Sequence, residues 1–139
     1  MANFIKEAAS TDAIIFYNAN PVYDHPQGEG LSAAISSAKL TISLAGHADE
    51  TAGCCQFVCP DHHYLEAWND AIPQDGVYVT AQPTIAPLYN TKHSIESLMA
   101  FAGETVNDYD FIKATCNSSV FASQNTYGSL ELLWNNTVH

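Results

Sequence analysis

Three short stretches of the chain carry residue types that can do chemistry. Asp61-His62-His63 sets a carboxylate beside two imidazoles, a combination that tunes proton transfer near neutral pH. It would suit a free-standing acid/base hydrolase in which Asp61 works with His62 or His63. The same residues fit a structural turn, with Asp61 capping the approach to Tyr64-Leu65-Glu66-Ala67-Trp68 and one histidine bonding across a loop. No nucleophile or oxyanion arrangement lies nearby in sequence, which favours the structural reading. Asn18-Ala19-Asn20-Pro21 and Asp49-Glu50-Thr51 are the other two stretches. Each follows an apolar run, and polar loops at the carboxyl ends of parallel strands are where ligands sit in α/β sheets. Their plainer reading is a turn fixed by Pro21, with Asn side chains bonding their own backbone, and a helix cap at Asp49-Glu50-Thr51.

Cys54, Cys55 and Cys59, followed by His62 and His63, invite a zinc assignment. Structural zinc draws its four ligands from paired Cys-x2–4-Cys and His-x3–5-His elements, and the spacing here is different. If residues 50–57 are helical, Cys54 and Cys55 point about 100° apart. No metal-ligand set is therefore expected; one or two of the thiols should pack as small apolar groups, with at least two of them buried. Trp68, with its large apolar area, reads as a core or subunit-contact residue rather than a cofactor stack.

The elements that must position these residues follow from hydrophobic period. Residues 4–9 predict a short helix, and Ala13-Ile14-Ile15-Phe16-Tyr17 has the β-branched and aromatic content of a buried strand. A loop rich in turn formers over residues 18–28 leads into a helix over residues 29–38, whose apolar face holds Leu31, Ala34, Ile35 and Ala38. Leu40-Thr41-Ile42-Ser43-Leu44 restores strand alternation. Strand, helix and strand within residues 13–44 make a βαβ unit, which calls for parallel neighbours and a right-handed crossover. The acidic start at Asp49 predicts a helix running towards Phe57, with Pro60 stopping it or following a short strand over residues 57–59. Beyond it come a strand over residues 77–81, a helix over about 94–102 ended by Gly103, a helix capped by Asn107 and carrying Phe111 and Ile112, and another helix over about 127–134. The expected fold class is α/β: a three-layer sandwich with a mainly parallel, Rossmann-like sheet, in one domain over residues 1–139.

Composition narrows the function. The 139 residues include four Lys, no Arg and 15 acidic residues, for a net charge of -11, so polyanions are repelled and nucleic acid is a poor partner. The same deficit counts against holding a pyrophosphate, since the bidentate donor suited to phosphate oxygens is missing. The beginning of the chain has neither a basic leader nor an apolar run, and nowhere do about 18 apolar residues follow one another. As written the chain is expected to be soluble, without a signal peptide or membrane insertion. Its last residues, Asn135-Asn136-Thr137-Val138-His139, carry no terminating signal, which predicts a boundary inside a longer protein.

Four motifs in order carry a family resemblance: Asn18-Ala19-Asn20-Pro21, Ala48-Asp49-Glu50-Thr51-Ala52, the run from Cys59 through His63-Tyr64-Leu65-Glu66-Ala67-Trp68 to Asp70, and Gln82-Pro83-Thr84-Ile85-Ala86-Pro87-Leu88-Tyr89. Together they resemble the middle of molybdopterin oxidoreductase large subunits. The His-Tyr-Leu-Glu-Ala-Trp-Asn-Asp version is similar to the fused iron-sulfur subunit of bacterial alternative complex III, a quinol-oxidising respiratory assembly. The resemblance implies a structural and assembly module of a respiratory oxidoreductase subunit at the periplasmic face of a membrane complex, not catalytic alone. It implies cofactor-facing positions at Asn18, Asn20, Pro21, Asp49, Glu50, Thr51, Asp61 and His62. Partners would be the remainder of the parent subunit and other subunits of the complex. Iron-sulfur clusters, and molybdopterin in some branches, would belong to the parent and not to this segment, which lacks a Cys-x2-Cys-x2-Cys-x3-Cys series. The alternative is a half-site for molybdopterin guanine dinucleotide, completed by the rest of the subunit. Tyr17-Asn18 replaces the Trp-Gly pair common at that strand end, and this departure, like the missing Arg, counts against pterin binding.

Overall fold

The computed structural model describes residues 2–8 and 10–139, which divide after Asp61 into two compact units. The first contains α1 (Ala2–Ala8), β1 (Ile14–Phe16), α2 (Pro21–Asp24), α3 (Gly28–Ser37), β2 (Thr41–Ser43) and β3 (Phe57–Val58). Ala9, the last residue of the predicted first helix, lies outside the described residues. The strands lie in the order β1-β2-β3 and both pairs are parallel, with Ile15 opposite Ile42 and Ile42 opposite Phe57. The predicted βαβ unit is therefore present, with α3 as its crossover, and the α/β class holds.

Period 2 and period 3.6 meet in one core. Ile14 and Phe16 point to the same side of β1 and are buried, while Ile15 between them is half exposed. Leu31, Ile35 and Ala38 form the matching stripe of α3 and its cap, and with Ala8 they close the cluster over Ile14 and Phe16. Phe4 adds an edge-on ring contact to Phe16 at 6.5 Å. The central strand β2 is buried along its whole length, including two hydroxyls. Both hydroxyls have partners: Thr41 Oγ1 accepts the Gln56 amide at 2.9 Å and Ser43 Oγ accepts the Ala45 amide at 3.2 Å. Buried polar atoms so satisfied cost little.

Two places in this unit depart from simple pattern. At Gly28 a Cβ would sit 2.1 Å from the Val22 carbonyl oxygen, so only glycine lets the first turn of α3 approach α2 this closely. The helix expected over residues 49–57 is reduced to a single 3₁₀ turn at Ala52–Cys54, and β3 follows. Asp49 Oδ1 accepts the Ala52 amide at 2.7 Å and so caps one turn only. Gly53 and the paired cysteines are weak helix formers, and the Gln56 amide is drawn to Thr41.

The second unit contains β4 (Asn69–Gln74), β5 (Val77–Ala81), α4 (Ser94–Phe101), α5 (Asp108–Thr115) and α6 (Leu130–Val138). β4 and β5 form an antiparallel hairpin across Asp75-Gly76, with Gly76 at φ 78°. Gly103 at φ 87° follows α4, as its position predicted. Asn107 Oδ1 accepts the Asp110 amide at 2.8 Å and caps α5. α5 runs on through a π-helical turn at Cys116–Val120 and a 3₁₀ turn at Phe121–Ser123. α6 starts later than expected because Ser129 caps it, accepting the Leu132 amide. Ile112, Cys116, Leu133 and Trp134 are the buried centre of this unit. Among the described residues no helix is long and apolar enough to cross a membrane.

Candidate functional site

The loops leaving the carboxyl ends of β1 and β2 are joined by a knot of side-chain hydrogen bonds. Asn20 Oδ1 accepts both the Thr51 amide at 3.1 Å and the Thr51 hydroxyl at 2.8 Å. Asn20 Nδ2 donates to Glu50 Oε2 at 2.7 Å, and Thr51 Oγ1 accepts the Val22 amide at 3.1 Å. Thr51 is fully buried. Pro21 opens α2, where its fixed φ suits a first helical position, and Asn18 sits at φ 49°, in the left-handed region that asparagine tolerates better than most residues. The Asn20 amide holds the Glu50 carboxyl below its usual range, helped by the Glu50 backbone and opposed by desolvation. Asn20, Glu50 and Thr51 come from two separate motifs, and the structure brings all three together.

Beside this knot a cavity of about 670 Å³ opens along α2 and the start of α3, lined by Ile5, Val22, His25, Gln27, Gly28 and Glu29. The donor set around the knot does not fit a pyrophosphate. Asp49 and Glu50 contribute carboxylates, and both ends of the Asn20 amide are already engaged. Cys54 Sγ lies 3.0 Å from Ser32 Oγ, and Cys54, Cys55 and Cys59 are half-buried rather than buried. Burial pushes the Cys55 thiol up, which lowers its thiolate fraction and its reactivity. Among the described residues no group of three or more His, Cys, Asp or Glu side chains could hold a metal ion.

Asp61 continues the sheet pairing, its amide donating to the Leu44 carbonyl at 3.3 Å. His62 belongs to the second unit, where its Nδ1 lies 2.6 Å from Thr91 Oγ1 and 3.9 Å from Glu66 Oε2. His93, whose ring centroid is 6.4 Å from that of His62, is buried, and its Nδ1 has no hydrogen-bond partner among the described residues. His63 Nδ1 accepts the Leu65 amide at 3.3 Å. Glu66, part of the third motif but without a site role in it, ties two loops together: Oε1 accepts the Leu88 amide and Oε2 the His63 amide, both at 2.9 Å. Only the fold brings residues 63 and 88 to one carboxylate, so no local signal marks this role.

The amides of Leu88 and His63 hold the Glu66 carboxyl below its usual range, and the neighbouring imidazoles add a smaller pull in the same direction. A carboxyl depressed in the folded state contributes stability that is full above its unfolded pKa and is lost as pH falls through the folded one. Urea midpoints measured from neutral to acid pH should therefore fall. Glu66→Gln should be less stable at neutral pH and lose less on acidification.

Parallel strands joined by a helical crossover define an α/β architecture. No family model matches the chain. It is 33% identical, over 102 residues, to the menaquinone reductase, molybdopterin-binding-like subunit of Nitratidesulfovibrio vulgaris. The alignment covers 70% of this chain, which spans 15% of that relative's length. This similarity supports a molybdopterin-oxidoreductase-like family.

Proposed function

We propose that this chain is a structural and assembly module of a molybdopterin-oxidoreductase-like respiratory subunit and is not catalytic alone. The observation that carries this reading is the knot at the strand ends. Asn20, Glu50 and Thr51 hold one another, so the positions a cofactor would face serve to lock two loops. The net charge of -11 with no Arg supports the same reading, because a dinucleotide's phosphates would meet no guanidinium. Ile15, Tyr17, Phe57 and Val58 in the first unit leave apolar side chains exposed, as a module that packs against further protein would. Within the family we place the parent with quinone-linked complexes of the alternative complex III kind, at the periplasmic face of a bacterial membrane. Iron-sulfur clusters would lie elsewhere in that parent, and its other subunits would be the partners. Asn18, Pro21, Asp49, Asp61 and His62 shape loops and turns in this account.

Calorimetric titration with guanosine diphosphate, the pyrophosphate-bearing half of the dinucleotide, tests the reading. No saturable heat is expected. Saturable binding that disappears in Asn20→Ala would replace the structural role with a cofactor half-site.

A further inference from the structure

The interior of the second unit holds a redox-capable group of aromatic side chains that an assembly role does not use. Trp68, Tyr109 and Trp134 form a closed triangle of rings. Their centroids are 5.1 Å apart for Trp68 and Tyr109, 5.7 Å for Trp68 and Trp134, and 5.7 Å for Tyr109 and Trp134. Trp134 is buried, while Trp68 and Tyr109 are half-buried, so the triangle reaches from the core to the surface. Tyr78 packs against the same core, beside the fully buried Cys116. Its hydroxyl donates to Asp70 Oδ2 at 3.0 Å within the β4-β5 hairpin.

Two elementary facts of side-chain chemistry give this cluster a direction. An indole loses an electron without first losing a proton, because the radical cation is delocalised over two fused rings. A phenol is oxidised readily only when a base stands ready for its proton, and Asp70 is that base here. Desolvation, followed by the hydrogen bond to Asp70, pushes the Tyr78 phenol up, so at neutral pH its proton is still present and must leave with the electron.

We propose that Trp68 and Trp134, with Tyr109 packed edge-on against both, carry oxidising equivalents from the surface of this unit to Tyr78, with Asp70 taking the phenolic proton. The cluster then acts as a sink for outer-sphere one-electron oxidants. In the first step one indole gives an electron to the oxidant, which is reduced by one unit, and an indole radical cation remains. In the second, Tyr78 returns an electron to the indole while its O–H bond breaks and an O–H bond forms on the Asp70 carboxylate. The products are a neutral tyrosyl radical, a protonated Asp70 and an intact indole.

The test uses the 139-residue chain with the exposed Tyr17, Tyr23, Tyr64 and Tyr89 replaced by Phe. Illumination with ruthenium tris-bipyridine and a cobalt(III) pentaammine acceptor supplies the one-electron oxidant, and electron paramagnetic resonance of frozen samples reads the radical. A neutral tyrosyl signal is expected. It should be lost in Tyr78→Phe, which keeps the ring, strongly reduced in Asp70→Asn, and reduced in Trp134→Phe. Circular dichroism establishes that each variant is folded, and if Asp70→Asn is not, Tyr78→Phe alone decides. An undiminished tyrosyl signal in folded Tyr78→Phe would overturn the proposal, as would an unchanged yield in folded Asp70→Asn.

Discussion

Replacing Thr51 with valine should release both strand-end loops of the first unit while leaving their packing volume almost unchanged. The hydroxyl that is lost accepts the Val22 amide and donates to Asn20 Oδ1, and the valine methyl that takes its place can do neither. Thr51 is fully buried and Val22 is half-buried, so the Val22 amide loses its partner on the inner side of the loop. A half-buried donor left without a partner costs roughly 1 kcal/mol, the low end of the range for buried groups, and the weakened hold on Asn20 adds to that. The urea midpoint should fall accordingly. Thr51→Ser, which keeps the hydroxyl, should recover most of the loss, whereas a packing defect alone would leave serine no better than valine.

The second large effect is expected at Trp134→Ala. This side chain is 3% exposed, sits in the buried stripe of α6 with Leu133, and contacts the rings of Trp68 and Tyr109. Truncating a buried tryptophan costs about 3–5 kcal/mol, because the transfer free energy of the ring is lost and the cavity closes only in part. Against total stabilities of about 5–15 kcal/mol that is a large share. Denaturation followed through the remaining Trp68 should show a markedly earlier transition. Leu132→Ala, on the same helix but 54% exposed, should change little.

Several elements were legible in the sequence because local pattern and final burial agree. The β1-α3-β2 unit follows from apolar period alone, and the Asn107 cap and the glycine after α4 act where a local rule says they should. The helix expected over residues 49–57 was not legible as a short turn. What shortens it comes from far along the chain: Asn20 takes the Thr51 amide, and Thr41 takes the Gln56 amide. β4 escaped notice because Pro73 interrupts its strand pattern, and the pairing register is irregular between Ala71 and Gln74. The candidate site divides in the same way. Asn20, Glu50 and Thr51 stand out as polar residues at strand ends, yet nothing local says that they bind one another. Glu66 and the Tyr78-Asp70 pair are defined by loop and hairpin geometry that no short motif encodes.

Amide hydrogen exchange at Val22 and Thr51, with and without guanosine diphosphate, tests the central claim most directly. Both amides donate into the Asn20-Thr51 knot, so a structural lock predicts strong protection in the free chain that does not change when the nucleotide is added. Protection that develops only with nucleotide, or exchange at the rate of an open loop in the free chain, would contradict the account.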